Sequence, residues 1–189
     1  QQTQKPAEVI LVDDASGDCT LSALQAIRRQ YGGWVKVIAL NQNQGVANAR
    51  NVGWDLATQP YIALLDADDA WHPNKIEIQY KFMQENPQVV LCGHNGKIMG
   101  DDSQLDWLLS DVESTIISKN SLLIFNSLCT SSVMIKKDIE LRFNSKKRYM
   151  EDHLLWLQMA FDDCKVAKLS PALVALYKQA YGVSGLSSH

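Results

Sequence analysis

The 189-residue chain lacks any apolar run that approaches the roughly 18 residues of a membrane span. Its polar start, "QQTQKPAE", has no signal-peptide core, so any membrane contact is expected to be peripheral or through a partner. It also lacks an excess of either charge: 18 basic residues face 21 acidic ones, giving a net charge of -3. The basic residues are scattered apart from Lys136-Lys137 and Lys146-Lys147-Arg148, which argues against nucleic acid as a partner. Cysteine is sparse. Cys19, Cys92, Cys129 and Cys164 are far apart among apolar neighbours, which suits reduced core thiols in a cytoplasmic protein better than a disulfide framework or a zinc knuckle. His72, His94, His153 and His189 show no zinc-type i, i+4 pairing, and there is no internal repeat or low-complexity block.

What is present is an ordinary globular composition, 46% apolar and 21% charged, in a length that suits one core. In "EVILVDDASGD" the apolar run Val9 to Val12 predicts a buried strand that enters a polar turn. "CTLSALQAIRRQYGG" then spaces Leu21, Leu24, Ile27 and Tyr31 near one helical face before Gly32-Gly33. "WVKVIAL" predicts a second strand, "GVANARNVGWDLA" a helix with Val46, Ala49, Gly53 and Leu56 on one side, and "YIALL" a third strand. "HPNKIEIQYKFMQEN" predicts a helix with Pro73 in its first turn, and "QVVLCGHNG" a strand. From about Gly100 to Asn126 the pattern is weak, which predicts a long excursion or small helices. "TSSVMIKK" reads as a strand, "EDHLLWLQMAF" as a helix, "KVAKL" and "ALVALYK" as two last strands, and "QAYGVSGLSSH" as a mobile loop or fray. Strands alternating with helices predict an α/β fold with a mainly parallel sheet covered on both faces.

In such sheets ligands bind in the crevice outside the carboxyl ends of the strands, and two acidic clusters fall there. Asp13 and Asp14 follow Val9 to Val12; Asp66, Asp68 and Asp69 follow Tyr61 to Leu65. If the backbone stays extended through Asp66-Ala67-Asp68, the two outer carboxylates point to one side. Hard oxygen ligands so placed suit Mg²⁺ or Mn²⁺, with a diphosphate and water completing the shell. Plain structural roles also exist: turn and cap residues for Asp13, Asp14, Ser16 and Asp18, helix-dipole partners for Glu151 and Asp152, a surface ion pair for Arg50. Yet three like charges ending an apolar strand repel one another, which favours a counter-ion. Arg50 is placed to pair with Asp14 or Asp66 or to meet a phosphate, and the pair Glu151-Asp152 in "RYMEDHLLW" offers a candidate general base. The tryptophans suit core positions, and Trp71, beside the acidic loop, is the exception.

Five blocks in order, "VILVDDASGD", "NQGVANARNVGWDLA", "YIALLDADDAWHPNKIEIQ", "TSSVMIKKD" and "YMEDHLLWLQMA", resemble the signatures of family 2 glycosyltransferases, which have the Rossmann-like GT-A fold. The resemblance spans nearly the whole chain. It implies a nucleotide-diphosphate-sugar donor, a UDP-sugar foremost, a divalent Mn²⁺ or Mg²⁺, and inversion at the anomeric carbon. By position, Asp14 is similar to the aspartate that meets the nucleotide base, Asp66 to the first D-x-D carboxylate near the ribose, and Asp68 to its metal-contacting member. Arg50 falls in the helix that frames the donor site. Asp152 matches the base that deprotonates the acceptor hydroxyl, with Glu151, Thr130 and Trp71 on the acceptor side.

The resemblance further implies one domain over 1–189, with a nucleotide-sugar half at about 1–99 and an acceptor half at about 100–189. The implied acceptor is a saccharide or a lipid-linked molecule. The implied setting is bacterial surface polysaccharide or glycoconjugate synthesis, in the cytoplasm or at the inner face of the membrane. Family members open with a strand resembling V-S-V-I-I-P-x-Y-N and a helix ending near Q-T. Here "QQTQKP" matches only that end, so an N-terminally shortened chain is expected. The Q-x-x-R-W motif of processive synthases is absent, which favours single addition.

Two other classes compete. A receiver-like phosphoacceptor domain also carries an acidic pair after its first strand and an aspartate after a later one, but D-A-D-D replaces the lone acceptor and no strand ends in Lys-Pro. A transferase-like module that binds without catalysing is the second.

Overall fold

The computed structural model describes residues 1–99 and 106–177; the expected loose tail, 179–189, and the start of the weak 100–126 segment lie outside the described residues. In chain order the elements are β1 (Val9–Asp13), α1 (Thr20–Tyr31), β2 (Val35–Ala39), α2 (Val46–Leu56), β3 (Tyr61–Ala63), β4 (Asp69–Trp71) and α3 (Lys75–Glu85). There follow β5 (Val89–Ile98), β6 (Ser114–Ile116), α4 (Lys119–Ile124), β7 (Met134–Lys136), α5 (Glu151–Phe161) and β8 (Lys165–Leu176). No helix among the described residues is long and apolar enough to cross a membrane.

The expected α/β architecture is present, with a mixed sheet. β1 and β2 pair in parallel as a two-stranded sheet. Six more strands form a second sheet in the order β3-β7-β5-β8-β4, with β6 on β8. There β5 and β8 run parallel and the other pairs antiparallel.

Side-chain alternation along these strands builds a core on each face. Leu91, Ile135 and Val166 pack with Ala47 and Trp54 of α2, Leu122 of α4, and Leu155, Trp156 and Met159 of α5. The neighbouring Cys92, Met134 and Ala167 point the other way, onto Ile76 and Met83 of α3. At about 25 cal/mol per Å² of apolar surface, the two layers supply the main drive for folding. Gly93 on β5 sits where a Cβ would lie 2.4 Å from Leu128 Cδ2, so backbone and neighbour meet without room for a side chain.

Several details depart from expectation for physical reasons. "KVAKL" and "ALVALYK" form one strand, β8, not two: its register against β5 jumps from His94↔Leu169 to Asn95↔Ala172, so Ser170 and Pro171 bulge out. Proline has no N–H for the ladder, and the bulge absorbs it. Helix α2 buries Ala47 and Trp54 instead of the expected Val46, Ala49, Gly53 and Leu56 side; Leu56 is exposed, while a Cβ on Gly53 would lie 3.5 Å from Val12 of β1. It touches both sheets, so no single stripe describes it. Ile27 and Tyr31 of α1 are exposed because the helix covers only two strands, and β1, expected as buried, is mostly half-buried for the same reason. Cys19 is exposed just before α1 and is no core thiol, whereas Cys92 is buried.

Burial also sets an acid sensitivity. His94 Nδ1 donates to the Asn95 carbonyl at 2.8 Å, and Nε2 has no hydrogen-bond partner. Burial, reinforced by the nearby Lys75 charge, pushes the His94 pKa down to about 3. The unfolded chain takes up this proton near pH 6.5 and the folded chain near 3, so the unfolded state binds more protons throughout that window. Stability is therefore present above the unfolded value and is lost as pH falls from about 6.5 toward 3, by up to about 1.4 kcal/mol per pH unit from this residue. Urea unfolding at stepped pH checks this: His94→Gln should flatten the slope between pH 6.5 and 5.

Candidate functional site

The first acidic cluster is organised by a turn. After β1, Ala15 adopts a left-handed φ of 55°. Asp14 then accepts hydrogen bonds from the Gln44 amide at 2.9 Å and the Gly45 amide at 2.7 Å. Gly45 precedes α2 with φ 88°, a conformation that glycine adopts without steric cost. The Asp14 carboxylate thus sits at the amino end of α2, where the helix dipole favours a negative charge. Asp13 is buried and accepts from the Ser16 amide.

The second cluster does not continue as an extended strand. β3 ends at Ala63, Ala67 and Asp68 form a turn, and β4 begins at Asp69, whose amide donates to the Asp66 carbonyl at 3.2 Å. The same-side argument for Asp66 and Asp68 therefore does not apply, because the chain reverses between them. Each carboxylate has its own setting. Asp66 accepts from Arg50 Nη2 at 2.8 Å. Asp69 accepts from the Ser131 hydroxyl at 2.6 Å; burial raises its pKa, its neighbours Asp68 and Asp66 add to that, and the Ser131 hydrogen bond opposes it. Asp68 is exposed on the turn.

Arg50 ties the acidic loop to the start of α5. Its second terminal nitrogen, Nη1, donates to Glu151 Oε1 at 2.7 Å, and its guanidinium lies 5.4 Å from the centre of the Phe143 ring. Burial works against the charge, but the carboxylates of Asp66 and Glu151 outweigh it and raise the Arg50 pKa. Of the two partners offered for Arg50 by sequence, Asp66 is taken and Asp14 is not. Glu151 was not foreseen, being 101 positions away.

Asp152, next along α5, is not in an ion pair among the described residues. Its Oδ2 accepts from the Thr130 hydroxyl at 3.1 Å and its Oδ1 from the His153 amide at 2.6 Å. Thr130 belongs to a 3-10 turn, Thr130–Ser132, that precedes β7. The expected "TSSVMIKK" strand is thus a turn plus a short strand. Ser131, whose hydrogen bonds nothing in the sequence shows, is the hub of that turn. Its hydroxyl also accepts from the Asp66 amide at 3.0 Å, and its carbonyl accepts from Trp71 Nε1 at 2.7 Å. Trp71 is half-buried on this bond and stands between loop and core.

Asp66 and Asp68 offer the hard oxygen donors that a divalent cation prefers. Among the described residues no group of three or more His, Cys, Asp or Glu could hold a metal ion, so a cation here would draw further ligands from a diphosphate and water. The donor chemistry fits on those terms.

The site thus comprises acidic loops after the strands of an α/β sheet, an arginine bridging Asp66 and Glu151, and a hydrogen-bonded aspartate at the start of α5. Residues 1–143 match the profile described as Glycosyl transferase family 2, and the chain belongs to that family. It is 29% identical over 184 residues to the amylovoran biosynthesis glycosyltransferase AmsE of Erwinia amylovora, covering 92% of this chain and 65% of AmsE. It is 26% identical to an uncharacterized glycosyltransferase of Haemophilus influenzae, covering 100% of this chain and 61% of that protein. The chain thus spans less than two thirds of both relatives. In three dimensions it is similar to S. aureus TarS 1-349 in complex with UDP-GlcNAc, with TM-score 0.77 at 21% identity, covering 100% of this chain and 54% of that one. The family match decides between the transferase and receiver readings.

Proposed function

We propose that this chain is the donor-binding and catalytic core of an inverting, metal-dependent glycosyltransferase that moves a sugar from a UDP-sugar to a saccharide or lipid-linked hydroxyl. The carrying observation is the Arg50 bridge between Asp66 and Glu151, which draws the loop that would meet the donor and the helix that carries Asp152 into one cluster. TarS chains of the same fold bind UDP and UDP-GlcNAc, which supports a uridine nucleotide. AmsE is named for amylovoran biosynthesis, which supports a polysaccharide-synthesis setting. About 1–99 then serves the donor and about 100–189 the acceptor.

In this reading Asp14 meets the nucleotide base, Asp66 the ribose side, and Asp68 with Asp66 would hold Mn²⁺ or Mg²⁺. When bound, such a cation supplies charge stabilisation to the leaving diphosphate. Arg50 occupies Glu151, which leaves Asp152 as the carboxylate to receive the acceptor proton. The acceptor oxygen bonds to the anomeric carbon as the carbon–phosphate-oxygen bond breaks, its electron pair leaves with UDP, and the proton goes to Asp152. Thr130 orients that carboxylate, and Trp71 borders the acceptor side.

Calorimetric titration of UDP and GDP with and without Mn²⁺ tests the reading. UDP should bind more tightly in the presence of Mn²⁺, and Asp68→Ala should remove that gain. Binding by the parent chain that is indifferent to Mn²⁺ would sink the metal role of Asp68.

A further inference from the structure

Lys75 has no part in the mechanism above, and its position is costly. It is fully buried at the first turn of α3, where the helix dipole disfavours a cation. No ion pair among the described residues includes it. Its Nζ has a weak 3.4 Å hydrogen bond to the Val133 carbonyl. Burial pushes its pKa down to about 7, against the opposing pull of the Cys92 and Cys129 thiols. A lysine that only filled space would be better replaced by an apolar side chain of its length, since a buried unpaired charge is among the most expensive groups a core can hold.

What the ammonium does touch is Trp71, whose ring centre is 3.9 Å from Nζ. Cation–π attraction is strongest when desolvated, and this contact is sealed from solvent on the lysine side. The other side of the contact leads straight to the acidic loop. Trp71 Nε1 donates to the Ser131 carbonyl, and the Ser131 hydroxyl donates to Asp69 and accepts from the Asp66 amide. The adjacent Thr130 donates to Asp152. One short turn therefore touches the carboxylates of Asp69 and Asp152 and the backbone amide of Asp66, and Lys75 lies beneath the indole that holds the turn.

We infer that Lys75 is a positioning residue: its ammonium, seated on the Trp71 ring, fixes the indole that orients the Thr130–Ser132 turn, and through that turn the acidic loop and Asp152. The structural half of this inference stands without a ligand, while its effect on affinity rests on the donor reading above.

The test uses Lys75→Met, which keeps the stem and removes the charge, and Trp71→Phe, which keeps a smaller aromatic face and removes the N–H. Hydrogen exchange in the ligand-free protein, run below the Lys75 pKa so that the ammonium is charged, should show the Trp71 indole N–H (in Lys75→Met) and the Asp66 amide (in both variants) losing protection by about tenfold, the scale of one lost cation–π contact or hydrogen bond. Amides at Leu91 and Met159 should keep theirs. A packing role alone would not produce that local pattern. UDP with Mn²⁺ should bind about tenfold more weakly to each variant, for the same reason. A folded Lys75→Met protein with both protections within about twofold of the parent overturns the inference, as does unchanged Asp66 protection in Trp71→Phe, on the same scale. If the parent chain fails to bind UDP, the donor reading fails, and the exchange data still judge Lys75 on their own.

Discussion

Asp152→Asn should leave UDP binding unchanged and reduce sugar transfer by roughly 10²–10⁴-fold, the usual contribution of a positioned general base. The substitution is nearly isosteric. The carboxamide can still accept one of the two hydrogen bonds that Asp152 now receives from Thr130 and His153, so the start of α5 keeps its geometry. It cannot take a proton from an incoming hydroxyl. Glu151 is a poor substitute because Arg50 already holds its Oε1 at 2.7 Å. The measurement is UDP release from a UDP-sugar in the presence of a saccharide acceptor, run beside calorimetry of UDP binding. Turnover near the parent rate in a protein that binds UDP normally would remove Asp152 from the role.

Arg50→Met should cost the fold about 3 kcal/mol, at the lower end for removing one partner of a buried ion pair. The side chains of Arg50 and Glu151 are 12% and 11% exposed, so the loss leaves the Glu151 charge stranded in a poorly solvated place. Asp66 is 37% exposed and suffers less, which is why the lower end applies. Against a typical domain stability of about 5–15 kcal/mol this is a large fraction. Urea unfolding measures it. Adding Glu151→Gln to Arg50→Met should recover part of the loss, because it removes the stranded charge; a double variant less stable than Arg50→Met alone would contradict the pairing account.

The elements that local sequence made legible are those with their own periodicity. The apolar runs of β1, β2 and β5 and the helical spacing of α3 and α5 each carry a pattern within ten or so residues. β4 and β6 carry none. Each is three residues long and exists because β8 offers a neighbour, through Asp69↔Leu176 and Ser114↔Leu169. No local rule could find them, since their partners lie about 55 to 107 positions away (169 − 114 and 176 − 69). The same divide runs through the site. Asp14, Asp66 and Asp68 stand out because charge ends an apolar strand, and Asp152 because it opens a helix. The link from Arg50 to Glu151 is a tertiary fact, as is the hub at Ser131. "TSSV" contains two equivalent serines, and only the 3-10 turn turns Ser131 toward Asp69 and Ser132 toward the Cys129 carbonyl. Lys75 was invisible for a related reason: a lysine at the start of an amphipathic helix reads as solvated until the fold closes over it.

The proposed function requires one nucleotide site shared by the loops after β1 and β3. Amide spectra of the protein with UDP, recorded before and after adding Mn²⁺ in place of Mg²⁺, test it most directly, because the paramagnetic ion broadens signals near its seat. Broadening should require UDP and centre on Asp66 to Asp69, extending to Asp14 and Gly45. Broadening centred elsewhere, on Asp162 and Asp163 for instance, or none at saturating UDP, would contradict it.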